Sequence, residues 1–247
     1  MQAYINRMIP HYTLGNPHEI SLHIYFSGCN FRCGYCYTPE LLTFDEKHLV
    51  DLKDVKHELR LNHEVIKSIF FTGGEPCLQK DALLQLAQFS RMLGLRVSLD
   101  TNGSRPDVLQ ELLEHQLIDA VYLDVKTPLS PALFERVTHS RTFFVTSDSL
   151  LAQLRKSFSI LHDFHDSIEV VIITPIIPNL IYHKEDLLSL GDIVQDIASR
   201  WILRRFRNDK VLFEKKLQKI KEPTFDFMEM LREMLAKKYP QLVVEID

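Results

Sequence analysis

The 247-residue sequence holds only four cysteines and one tryptophan, and nowhere the ~18 consecutive apolar residues that a helix needs to cross a bilayer. No membrane-spanning helix is therefore expected. The first residues, Met-Gln-Ala-Tyr-Ile-Asn-Arg-Met, carry no apolar run of signal-peptide length, so a cytoplasmic protein is expected. An excess of positive charge is missing too: the formal net charge is -4, which argues against a surface built mainly for polyanions and makes nucleic acid a secondary suspect. There is no internal repeat, low-complexity tract or Gly/Ser linker, and no Ser/His/Asp or paired-carboxylate constellation. With 45% hydrophobic and 25% charged residues, one domain over 1–247 is expected, with a core at about 20–207 and a C-terminal helical extension at 208–247.

Apolar, β-branched runs of strand length recur at Ser21–Ser27, Ser68–Thr72, Arg96–Asp100, Ala120–Lys126, Ile168–Thr174 and Trp201–Phe206. Between them, residues such as Val108, Leu109, Leu112 and Leu113, then Leu187, Leu190, Val194 and Ile197, follow a helical period. Strand and helix alternate, and the strands read as buried on both faces. An α/β fold follows, a partial (β/α)6 TIM-like barrel with parallel strands. The stripe Phe227, Met230, Leu231, Met234 and Leu235 reads as core packing, and Tyr37–Lys53 as a short helix with a loop over the site. The chemistry-bearing residues fall at the C-terminal ends of strands, where parallel α/β proteins bind ligands.

Three of the four cysteines crowd into Gly28-Cys29-Asn30-Phe31-Arg32-Cys33-Gly34-Tyr35-Cys36, a C-x3-C-x2-C spacing on a loop leaving a strand. Three thiolates on one short loop reach three corners of an iron–sulfur cubane and leave the fourth iron open. A structural zinc site or plain buried cysteines are the alternatives, although zinc calls for a fourth Cys or His at comparable spacing. Further on, Phe71-Thr72-Gly73-Gly74-Glu75-Pro76 offers a tight turn and a carboxylate able to accept from an ammonium group. Ser98-Leu99-Asp100-Thr101-Asn102-Gly103 and Val121-Tyr122-Leu123-Asp124-Val125-Lys126 read equally as turn and cap residues or as ligand contacts.

Taken together, these motifs resemble the radical S-adenosylmethionine superfamily, and within it the activating enzymes of anaerobic ribonucleotide reductase and pyruvate formate-lyase. The resemblance implies that Cys29, Cys33 and Cys36 hold a 4Fe-4S cluster, whose open iron chelates S-adenosylmethionine (SAM) and whose electron cleaves it to a 5'-deoxyadenosyl radical. It further implies that Gly73, Gly74 and Glu75 contact the methionine amine. Asp100, Thr101, Asp124 and the Tyr122 carbonyl map to a monovalent cation site beside the methionine carboxylate, and Lys126 lies near it. Tyr35 and Asn102 are grouped with the cofactor-binding residues. The implied partner is a glycyl radical enzyme, with a flavodoxin or ferredoxin type reductant. A small-molecule or tRNA-modifying enzyme resembling 7-carboxy-7-deazaguanine synthases is the second reading, and an iron–sulfur electron carrier the third.

Softer matches lie downstream. Ile173-Thr174-Pro175-Ile176-Ile177-Pro178-Asn179 falls where activases carry a Val-Pro-Gly-like loop, without the glycine. Trp201-Ile202-Leu203-Arg204-Arg205-Phe206-Arg207 resembles a Leu-Arg-x-Phe segment, and reads otherwise as a last strand with solvated arginines. His162-Asp163-Phe164-His165-Asp166 is expected to be a solvated helix end rather than a metal site.

Overall fold

The structure, a computed structural model, describes residues 1–13, 16–210 and 212–247. They group into two compact units, one of Met1–Asn30, Glu40–Thr101 and Arg105–Val121, the other of Phe31–Pro39, Asn102–Ser104 and Tyr122–Asp247. The first unit contains β1 (Gln2–Thr13), β2 (Asn16–Phe26), β3 (Leu49–Asp51), α1 (Leu52–Asn62), β4 (Ile66–Gly73), α2 (Lys80–Met92), β5 (Arg96–Thr101) and α3 (Pro106–Glu114). Strand β6 (Ala120–Asp124) contributes residues to both units. The second unit continues with α4 (Pro131–Thr138), α5 (Ser147–Phe164), β7 (Glu169–Ile176), α6 (Lys184–Val194), β8 (Arg200–Arg205), α7 (Phe225–Lys238) and β9 (Val243–Ile246).

In the first unit the strand order is β3-β1-β2-β4-β5, with β1 antiparallel to both of its neighbours and β2, β4 and β5 mutually parallel. In the second, β7, β8 and β9 are parallel neighbours. All six strands expected from the sequence are present, within a few residues at each end. The α/β class with predominantly parallel strands is therefore the one observed.

Burial on β2, β4 and β5 alternates more than the continuous apolar runs suggest. Leu22, Ile24, Phe26, Ile69, Phe71, Val97 and Leu99 are buried, whereas the alternate positions His23, Tyr25, Phe70, Ser98 and Asp100 are half-buried. Period-two geometry sends these two sets to opposite sheet faces. One face meets the apolar core, to which the helices bring Val55 and Leu59, Leu83 and Leu86, and Val108 and Leu112. The other face is polar and aromatic, and it ends at Asp100.

Several elements were not legible in the sequence. The β1 strand precedes the expected core, and its antiparallel pairing runs from Ile5 opposite Phe26 to Thr13 opposite Asn16. Between Tyr37 and Lys53 there is no α-helix until Leu52: two single 3-10 turns, Pro39–Leu41 and Glu46–His48, lead into the three-residue β3. Beyond residue 207 the chain forms α7 but closes with a strand, β9, paired to β8 with Arg200 opposite Val243. The α7 stripe is packing: Leu231 and Leu235 are buried as expected, Met228 joins them, and Phe227, Met230 and Met234 are half-buried. His162 and His165 sit at the exposed end of α5 and pair only loosely with Asp163 and Asp166, as expected of a solvated helix end.

His23 illustrates what the polar face imposes. Its ring stacks on Phe70 at 4.7 Å and lies 4.2 Å from His11. Burial, helped by the neighbouring His11, lowers its pKa from 6.5 to about 4. The unfolded chain therefore binds a proton that the folded chain refuses between pH 6.5 and about 4, so His23 erodes stability as the pH falls through that window. Urea unfolding at a series of pH values should show this slope, and His23→Gln should flatten it. An unchanged slope would place the effect elsewhere.

Candidate functional site

In the first unit the cysteine loop begins on a backbone junction. As β2 ends, the Gly28 N–H donates to the Leu41 carbonyl at 2.8 Å and the Cys29 N–H to the Leu42 carbonyl at 3.1 Å. From β4, the Gly74 N–H donates to the Phe26 carbonyl at 2.9 Å and the Glu75 N–H to the Gly28 carbonyl at 2.8 Å. Gly73 has φ +116°, and a Cβ there would stand 2.4 Å from the Phe26 carbonyl oxygen. At Gly74 a Cβ would stand 2.3 Å from the Gly28 carbonyl oxygen. Two glycines are thus required by backbone approach alone, before any ligand is considered.

Glu75 is fully buried. Its Oε1 accepts from the Cys77 N–H at 3.0 Å and from the Thr101 hydroxyl at 2.8 Å, and it caps the 3-10 turn Pro76–Gln79. The Thr72 hydroxyl donates to Asp100 Oδ2 at 2.7 Å. Gly73, Gly74, Glu75, Asp100 and Thr101 are thereby gathered at the carboxyl ends of β4 and β5, in the unit that holds Cys29. Cys77 is buried 3.6 Å from the Thr101 hydroxyl, and burial together with Glu75 pushes its thiol well above its ordinary range. It behaves as a packing thiol rather than a reactive one.

The second unit holds Cys33, Tyr35, Cys36, Asn102, Tyr122, Asp124 and Lys126. The Cys36 N–H donates to the Cys33 carbonyl at 3.0 Å, and the Arg32 N–H to the Thr138 carbonyl at 2.8 Å, while Phe31 meets the Phe134 ring edge-on. At the end of β6 the Lys126 ammonium pairs with Asp124 Oδ2. Burial opposes the charge on Lys126, but its neighbours together, Asp124 first and then Tyr35 and Cys33, outweigh that and hold the ammonium well above its ordinary pKa. Lys126 Nζ lies 6.0 Å from the centre of the Tyr35 ring. The Asn102 side-chain oxygen accepts from the Ser104 N–H at 3.0 Å, a turn contact. Burial raises the Cys33 thiol to about 11, against the pull of Lys126. None of the four cysteines is in a disulfide.

The radical SAM superfamily model matches residues 23–191 of this chain. The chain belongs to the radical SAM superfamily. Over 126 residues it is 32% identical to a Methanocaldococcus jannaschii protein named for glycyl-radical enzyme activation, a match covering 51% of each chain. It is 27% identical to the pyruvate formate-lyase-activating enzyme of Clostridium pasteurianum over 71% of this chain and 70% of that one. A 7-carboxy-7-deazaguanine synthase of Methanopyrus kandleri is 34% identical over 44% of this chain and 50% of its own. Against the M. jannaschii and M. kandleri relatives, the chain thus spans about half the relative's length. Among solved structures, Streptococcus suis SuiB bound to S-adenosylmethionine matches with TM-score 0.65 at 18% identity, covering 89% of this chain and 48% of that one, which shows a shared fold.

Membership of the superfamily implies a 4Fe-4S cluster and SAM, and it argues against a plain electron carrier. The donor set suits such a cluster in kind: three thiols outside any disulfide, Cys29 in the first unit and Cys33 and Cys36 in the second. The Tyr35 hydroxyl also fits, being the single buried side-chain polar atom among the described residues without a hydrogen-bond partner.

Some residues of the radical SAM site neighbourhood had no sequence signal. Gln79 ties β1 to the end of β2, accepting from the Tyr4 N–H and donating to the Tyr4 and Ser27 carbonyls. The Phe213 and Glu214 N–H groups donate to the Cys36 and Gly34 carbonyls at 3.2 and 2.8 Å. Only long-range pairing reveals these partners. Arg204, Arg205 and Arg207 each meet a carboxylate, of Asp247, Glu222 and Asp209 respectively.

Because Thr101 supplies a donor to a buried carboxylate, Thr101→Val should destabilise the chain by about 1.5–3 kcal/mol, the cost of removing one partner of a charged hydrogen bond. Equilibrium unfolding of the cluster-free chain measures this. A loss within experimental error would show that the Glu75 network does not depend on the hydroxyl.

Proposed function

We propose that this chain is an activating enzyme for a glycyl radical enzyme. It would cleave SAM reductively and abstract a hydrogen atom from a backbone glycine of a partner protein. The likeness to activating enzymes, one of them matched over 71% of this chain, is the observation that carries the reading. The chemistry needs no side-chain acid or base, since a glycyl radical is delocalised by its flanking amides. The family match runs through both units, in keeping with one radical SAM domain over 1–247.

In this reading Cys29, Cys33 and Cys36 ligate the cluster, and Cys77 does not. When bound, the cluster supplies the electron that splits the sulfonium. Gly73 and Gly74 set the course of the chain, so that Glu75, already oriented by Cys77 and Thr101, accepts from the methionine amine. Asp100, Thr101, Asp124 and the Tyr122 carbonyl are the residues that would hold a monovalent cation, and Lys126 would balance the methionine carboxylate. Tyr35 and Asn102 complete the cofactor contacts. A flavodoxin or ferredoxin type protein delivers the electron, and the setting is the cytoplasm, in keeping with the absence, among the described residues, of any helix long and apolar enough to cross a membrane.

Anaerobic reconstitution should load about four iron and four sulfide. Cys29→Ala, Cys33→Ala and Cys36→Ala should each abolish that loading, and Cys77→Ala should not. Glu75→Gln should keep the cluster but weaken SAM binding roughly ten- to a hundredfold, the cost of one charge-assisted contact. Incubation with candidate glycyl radical enzymes under a strong reductant should give the doublet of an α-carbon glycyl radical by electron paramagnetic resonance. The likeness to M. kandleri 7-carboxy-7-deazaguanine synthase supports a second reading, a small-molecule enzyme. Consumption of a purine precursor or tRNA with stoichiometric 5'-deoxyadenosine, and no glycyl signal with any candidate, would favour it and sink the activase.

A further inference from the structure

Buried hydroxyl groups are almost always hydrogen-bonded, and a buried orphan calls for an explanation. Tyr35 provides one such case. Its ring is buried, with 8% of its surface exposed, and its Oη has no hydrogen-bond partner among the described residues. The ring is held by its surroundings rather than by its hydroxyl: Lys126 Nζ stands 6.0 Å from the ring centre, and Lys126 is itself fixed by Asp124. The Cys36 N–H to Cys33 carbonyl bond closes the turn on which Tyr35 sits, and the Phe213 and Glu214 amides pin the Cys36 and Gly34 carbonyls on either side. Beside the hydroxyl lies the thiol of Cys33, near enough to interact weakly but not in the geometry of a hydrogen bond. A thiol is a poor acceptor and a thiolate bound to iron is a much better one. Cys33 therefore becomes a good acceptor for this hydroxyl only once it is bound to iron as a thiolate.

We propose that Tyr35 is a positioning and tuning residue whose hydroxyl donates a hydrogen bond to the Cys33 sulfur of the bound cluster and raises its reduction potential. This rests on the reading of Cys33 as a cluster ligand and goes beyond it. No bond to oxygen is made or broken: the proton stays on Oη, and the hydrogen bond stabilises the extra negative charge that the reduced cluster carries. Hydrogen bonds to the sulfurs are among the factors that set iron–sulfur potentials.

The test compares the full chain with Tyr35→Phe, which keeps the ring and removes only the hydroxyl. Both proteins, reconstituted anaerobically, are expected to hold the same iron and sulfide, and the variant's midpoint in a redox titration followed by electron paramagnetic resonance should be more negative. An exchangeable deuteron coupled to the reduced cluster should be seen in D2O for the wild type and be missing in Tyr35→Phe. The cluster-free variant should melt no lower than wild type, because the hydroxyl makes no bond in that state. Equal midpoints and the same deuteron signal in two fully loaded proteins would overturn the inference and leave the cluster reading intact. So would a clear fall in the melting temperature of the cluster-free variant, since the hydroxyl would then serve the fold. A wild-type chain that takes up no iron and sulfide at all would overturn both.

Discussion

The approach of two backbones within one unit governs the candidate site. At Gly73 and Gly74 the chain leaving β4 passes so close to Phe26–Gly28 that a methyl group on either residue would collide with a carbonyl oxygen. Amide hydrogen bonds from Gly74 and Glu75 use that closeness to fix the end of β2, and the Gly28 and Cys29 amides then hold the Leu41–Leu42 segment. Cys29 is thus delivered by a junction with few degrees of freedom. Glu75 is delivered by the same junction, because its own N–H is one of the bonds. The Cys29 thiol and the Glu75 carboxylate therefore share one mechanical origin, which side-chain packing alone would not ensure.

That junction also sets the cost of burying Glu75. A carboxylate removed from water is tolerated only when hydrogen-bonded or paired. Here the Cys77 amide and the Thr101 hydroxyl do that work from inside the same unit. The second unit solves the same problem differently, since Lys126 and Asp124 neutralise each other where burial would otherwise disfavour both charges. Against these two satisfied arrangements the Tyr35 hydroxyl stands out as the unsatisfied one. A buried polar group without a partner calls for an explanation, and Tyr35 lies between Cys33 and Cys36 in sequence.

Much of this was legible in the sequence, because it is written in local pattern. The β-branched runs located six strands, and the cysteine spacing located the loop. The glycine pair was legible as a turn, but its reason was not: the neighbours that forbid a Cβ are Phe26 for Gly73 and Gly28 for Gly74, both far back in the sequence. Thr72, Gln79, Phe213 and Glu214 share that limit, since each acts through a partner distant in sequence. Strand β1 was missed for a different reason. Its polar and aromatic face, with Arg7 over the Tyr25 ring, breaks the apolar run that marks a buried strand. The 3-10 turns after Tyr37 carry no helical period and leave no signal to read.

The arginines after β8 need finer distinctions than sequence allows. Arg205 is the structural member: it is largely buried, donates to Glu222 and to the Pro223 carbonyl, and lies 4.4 Å over the Phe225 ring. Removing it would leave Glu222 half-buried and unmatched as well as stripping packing from α7. Arg204 and Arg207 pair instead with the exposed carboxylates of Asp247 and Asp209. Exposed pairs of this kind are worth about 0–1 kcal/mol, so exchanging one for a carboxylate on a partner costs little. Were a protein to dock on this edge, the exchange would fall to Arg204 and Arg207, while Arg205 keeps the edge in shape.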